Sequence, residues 1–83
     1  MSDERIIFKF LKKEFKDDSV AVYLYCVGNT RSKSTAIGKA LSIAKVIFKP
    51  YIDDEVIQNV IETFFEYKLK QHSLGKIEVK PIY

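Results

Sequence analysis

Cysteine and histidine are almost missing from this chain: its 83 residues hold one of each, Cys26 and His72. A lone thiol cannot close an internal disulfide, and one thiol with one imidazole cannot complete a zinc site. The same scarcity leaves no acid, base and nucleophile group to assemble, so neither an enzyme nor a bound cofactor is expected. Glycine, with three residues, and proline, with two, are also sparse, while 47% of the chain is apolar. That composition supports a packed globule over a disordered tail. No apolar run approaches the roughly 20 residues that span a bilayer, and the acidic start Ser2, Asp3, Glu4 is unlike a secretory leader. A cytoplasmic protein with no membrane partner and no small-molecule substrate is the expectation. Residues 1–83 are read as one domain, because this length leaves no room for a second core. A core of this size contributes only about 3 to 5 kcal/mol, which makes a homodimer reasonable.

Acidic residues are missing from one stretch in particular. Between Asp18 and Asp53 there is none, while Arg31, Lys33, Lys39, Lys45 and Lys49 all fall there. A second basic group, Lys68, Lys70, Lys76 and Lys80 with His72 among them, is opposed there only by Glu78. The net charge of +3 is modest, so the segregation carries more information than the sum. Lysines gathered on one side suit a polyanion, because each lysine near a phosphate releases condensed counterions. Solubilising charge, including the lysine-rich surfaces of thermophile proteins, is the plainer explanation.

Apolar periodicity predicts an α+β fold, a small mixed sheet of about four strands packed against one main helix in the order β-hairpin, helix, β-hairpin. Arg5 to Leu11 alternates with a period of two and reads as the first strand. Lys12 to Asp18 supplies a connection. Ser19 to Val27, rich in β-branched and aromatic residues, reads as the second strand. Gly28 to Ser34 is a polar loop whose last hydroxyls are good helix caps, and the helix starts near Ser34 or Thr35. From Ala36 to Lys49 apolar residues recur at three- and four-residue steps until Pro50 stops the pattern. Gly38 within that helix costs about 1 kcal/mol against alanine, and close approach of another backbone would account for it. Residues 56–70 fit two patterns. Their β-branched and aromatic content favours a strand and the acidic entry Asp53 to Glu55 favours a helix start; the strand reading is adopted. Gln71 to Gly75 then forms a turn, and Lys76 to Tyr83 closes the chain as an edge strand.

Several motifs have plain explanations. Gly28, Lys33, Ser34 and Thr35 echo a phosphate-binding loop, but the residue before the lysine is Ser32, not glycine. What survives is a helix N-terminus beside Arg31 and Lys33, suited to one phosphate. Tyr23, Tyr25, Phe64, Phe65 and Tyr67 could stack on bases, although aromatics in strands are more often core. Cys26 on an apolar segment reads as a small buried hydrophobe, His72 has no helper at catalytic spacing, and Asp53, Asp54 and Glu55 read as turn and cap residues.

Gly28 and Arg31, followed by Ile37, Gly38, Lys39, Ala40, Leu41, Ser42, Ile43, Ala44, Lys45, Val46 and Ile47, resemble the turn and helix of the Alba family of archaeal chromatin proteins. The residues beyond Pro50, ending Lys76, Ile77, Glu78 and Val79, are similar to that family's closing hairpin. The resemblance covers about half the chain. It implies a dimer binding DNA or RNA, with Lys39 as counterpart of the family's acetylatable DNA-contacting lysine and Lys70 to Lys76 reaching into a minor groove.

Together these features predict a chromatin-like, nucleoid-associated protein that grips the phosphate backbone with little base selectivity. Arg31, Lys33, Lys39, Lys45, Lys49, Lys68, Lys70 and Lys76 are its expected contacts. The alternative is a protein interaction module, or a subunit of a larger complex, that does not touch nucleic acid.

Overall fold

A computed structural model describes residues 2–79. It is built from four helices: α1 (Asp3–Glu14), α2 (Val20–Val27), α3 (Thr30–Phe48) and α4 (Asp54–Ser73). No strand occurs among the described residues, so the expected α+β fold with its four-stranded sheet is overturned, and with it the fold that the Alba resemblance implied.

Three of the four segments read as strands prove helical, each for a reason visible in its side chains. In α1 the buried residues are Ile7 and Leu11, and Phe15 just beyond the helix continues the row. A window ending at Leu11 shows alternation; extended to Phe15 it shows a four-residue repeat, the spacing of one helix face. Ser2 caps the helix by accepting from the Arg5 amide at 3.3 Å, with Asp3 and Glu4 in the first turn and Lys12 and Lys13 in the last. Those charges complement the helix dipole at both ends.

The β-rich run Val20–Val27 becomes the two-turn helix α2, capped by Ser19, whose hydroxyl accepts from the Val22 amide at 3.2 Å. Isolated helices this short are marginal in water, so tertiary packing of Ala21, Val22 and Tyr25 must hold it. Packing here overrides intrinsic propensity.

In α4 the helical alternative wins because Ile57, Val60, Ile61, Phe64 and Phe65 form an unbroken i, i+3, i+4, i+7, i+8 stripe, all buried. Asp54 and Glu55 occupy its first turn. The expected turn after Gln71 falls later, where Gly75 takes a left-handed φ of 73° after Leu74. Lys76 to Val79 form no strand, and the rest of the expected closing strand lies outside the described residues.

The expected main helix is present as α3, but it begins four to five residues earlier than the sequence suggests. Asn29 is its cap, accepting from the Ser32 amide at 2.9 Å, so the polar run after it is helix surface, not loop. The buried face of α3 is a seam of Ala36, Ala40 and Ala44, each fully inaccessible. Core bulk comes instead from the other helices: Phe64, Phe65, Ile7, Leu11, Ile57, Ile61 and Val22 are the largest fully buried side chains. Phe65 stacks on Tyr25 of α2 at 5.2 Å and lies 5.9 Å from Phe15, so α4 is the central element against which α1 and α2 pack.

Candidate nucleic-acid interface

The sequence of α1 separates its polar positions cleanly. With Ile7 and Leu11 turned inward, Arg5, Lys9, Lys12 and Lys13 occupy the opposite, exposed side. Asp3, Glu4 and Glu14 sit at the two ends of the helix, Glu4 bordering the cationic face beside Arg5. Three ion pairs form among the described residues, and none involves these four side chains.

Arg5, Lys9 and Lys12, with Glu4, rim an open depression whose apolar floor includes Phe8. A second depression, lined by Glu4, Phe8, Asn59, Val60 and Thr63, continues it over the seam with α4. Phe8 packs edge-on against Phe64 at 5.5 Å and Tyr67 at 6.0 Å. Tyr67 is 45% exposed. The surface therefore offers a row of cations beside a partly open aromatic pair, able to meet phosphates and base faces.

The expected contacts are dispersed by comparison. Arg31 is exposed in the first turn of α3. Lys33 is half-buried, its Nζ 5.5 Å from the centre of the Tyr25 ring, where the π-face attracts the charge. Lys39 is exposed halfway along α3, beside a depression that also includes Glu14, Val20 and Ile43. Lys70 and Lys76 are exposed at the far end of α4 and just beyond it.

The other three are engaged. Lys45 and Lys49 share Asp54 at 3.9 and 3.8 Å; these long, exposed pairs are weak and a phosphate can replace the carboxylate at little cost. Lys68 differs. Its side chain is only 12% exposed, hydrogen-bonded to Asp17, and its Nζ lies 5.6 Å from the Phe64 ring centre. That lysine is committed to the fold.

Most of the suggested aromatic platform is core: Phe64 and Phe65 are fully buried and Tyr25 nearly so. Burial, then the hydrogen bond to Glu66, pushes the Tyr25 phenol up to about 12. The half-buried Cys26 thiol is also pushed up, chiefly by desolvation against a smaller opposing pull from Lys68. A raised pKa keeps the reactive thiolate scarce at neutral pH. Asp53 occupies the cap position of α4 but makes no side-chain cap hydrogen bond, while Asp54 serves the two lysines. No family model, curated protein or solved structure matches this chain.

Arg5, Lys9, Lys12 and Lys13 were absent from the contacts expected from sequence. The strand reading of Arg5 to Leu11 kept Arg5 and Lys9 on one face but left Lys12 and Lys13 in the connection, apart from them. Their spacing of four, three and one residues is the signal that gathers them on one side of a helix.

Proposed function

We propose that this protein binds nucleic acid through the phosphate backbone, with the outer face of α1 as the principal contact. The observation carrying this reading is the set of four cations, Arg5, Lys9, Lys12 and Lys13, on one exposed helix face, none in an ion pair among the described residues, with Glu4 the one acid on the rim of the depression they border. Arg31, Lys33, Lys39, Lys70 and Lys76 provide secondary contacts, and Lys45 and Lys49 join once phosphate displaces Asp54. Lys68 makes no contact. Lysine is a point charge without the planar fork of arginine, so a surface three-quarters lysine grips backbone and does not read bases. A chromatin-like, nucleoid-associated role follows from such binding.

Fluorescence anisotropy with labelled duplex DNA and single-stranded RNA across a salt series tests the proposal. Log affinity should fall linearly with log salt, by about 0.9 per duplex phosphate contacted. Lys9→Glu with Lys12→Glu should abolish binding and leave the helical circular dichroism intact. Absence of binding to either probe at low salt, or binding indifferent to that double change, refutes the reading.

A further inference from the structure

Two rows of side chains lie alongside each other where α1 packs on α4. On α1, Arg5, Lys9 and Lys12 rim the depression floored by Phe8. On α4, Asn59, Thr63 and Tyr67 follow at four-residue steps, the spacing of one helix face, and all three are exposed. Phe8 joins the rows. It lines a depression with Asn59 and Thr63, and its ring centre lies 6.0 Å from that of Tyr67. The α1 row is cationic, whereas the α4 row presents an amide, a hydroxyl and an aromatic ring. None of these three side chains makes a side-chain hydrogen bond or ion pair among the described residues.

We infer that this interface selects unpaired strands, RNA or DNA, over duplex, holding phosphates on the α1 row and stacking a base on Tyr67; the inference rests on the nucleic-acid reading above and names its substrate class. The reason is where the bases are. In a duplex their faces are closed within the stack, leaving only backbone and groove edges to be met. The α4 row would then face phosphate that it has no charge to hold. An unpaired strand frees the π-face of each base, which an exposed ring can cover. A strand laid along α1 reaches Tyr67 with its bases when its phosphates meet Arg5, Lys9 and Lys12.

The rows match in length, since seven or eight residues of helix cover about 10 to 12 Å. Asn59 offers both a donor and an acceptor, and Thr63 a hydroxyl, to base edges or sugar. Phe8 backs the Tyr67 ring while itself packed on Phe64, which limits the side-chain freedom lost on stacking. Glu4 lines both depressions and repels phosphate at the Arg5 end. Stacking tolerates any base, so the selection is for strandedness and agrees with weak sequence preference. In a nucleoid, such partners are transcripts and melted stretches of duplex.

Anisotropy at one fixed salt should compare RNA and DNA single strands, the matching DNA duplex, and an abasic DNA strand of equal length. Both single strands should bind at least tenfold more tightly than the duplex, and the abasic strand should lose that advantage. A tighter RNA complex than DNA complex identifies contact with the 2′-hydroxyl. Tyr67→Ala should lower single-strand affinity about tenfold, the scale of one lost stacked base, and so erase the preference; Tyr67→Phe, which keeps the ring, should retain it. The chain contains no tryptophan, so Tyr67→Trp adds a single reporter whose emission single strands should quench far more than the duplex or the abasic strand does. Equal affinity for duplex and single strands, an abasic strand bound as well as its parent, or a preference indifferent to Tyr67→Ala overturns this inference alone, provided that duplex binding still depends on Lys9 and Lys12. Failure of every probe to bind takes the nucleic-acid reading down with it.

Discussion

The Tyr25 hydroxyl donates to the Glu66 carboxylate at 2.7 Å, fastening α2 to α4 across 41 positions of sequence. The same ring stacks on Phe65. The bond requires the protonated phenol, and burial with the nearby carboxylate holds that proton to about pH 12 against an ordinary value of 10. An unfolded chain releases it near 10, so between those values the unfolded state binds fewer protons and stability falls as pH rises. This contribution is complete below pH 10. Alkaline titration followed by tyrosinate absorbance should show one tyrosine ionising near 12, and Tyr25→Phe should remove that step while flattening the alkaline loss of stability.

Lys68 and Asp17 form the second long-range tie, and their burial predicts a contrast. Asp17→Asn weakens the partner of an ammonium that is only 12% exposed. It should cost about 1 to 3 kcal/mol, the scale of a charge-assisted hydrogen bond lost from a sheltered site. Asp54→Asn, which releases the two exposed lysines, should change stability by less than about 0.5 kcal/mol. Urea denaturation of the two variants measures both; equal effects would show that Lys68 gains nothing from its shelter.

Two glycines should respond to alanine with opposite signs. At Gly28 a Cβ would lie 2.3 Å from the Leu24 carbonyl oxygen and 2.3 Å from the Ser32 Cβ. The corner between α2 and α3 closes too tightly for a side chain, so Gly28→Ala should destabilise by about 1 to 3 kcal/mol. Gly38 is an open helix position, and Gly38→Ala should stabilise the fold by about 0.5 to 1 kcal/mol. Thermal melts of the two variants give both signs.

The alanine seam makes a further prediction. Ala40 is fully inaccessible, and Ala40→Leu must force α3 outward, at about 1 to 3 kcal/mol. The same change at the exposed Lys39 should be nearly neutral. Chemical denaturation of both variants checks the difference.

How much of this was legible in the sequence varies from helix to helix. The apolar steps from Ala36 to Lys49 identified α3, and Pro50 marked its end, because periodicity and proline sterics act locally. Its start was hidden, since the hydroxyls and lysines of 30–35 look like a loop yet suit an exposed helix turn. Both patterns for 56–70 were visible; the choice between them lay in contacts with Phe8, Phe15 and Tyr25, which are distant in sequence. For α2 no local signal beyond Ser19 opposed its β-branched content. The basic character of the surface was readable, but its grouping on α1 depended on the helix that the alternation from Arg5 to Leu11 concealed.

The seam of Ala36, Ala40 and Ala44 has a last consequence. Methyl-sized side chains let helix axes approach to the short end of the usual 8 to 10 Å, and the molecule is only 18 Å across its thinnest dimension. A slab so thin is nearly all boundary. Changes that alter what this protein recognises can accumulate on its outer positions without disturbing the interior, so its specificity is free to evolve faster than its architecture.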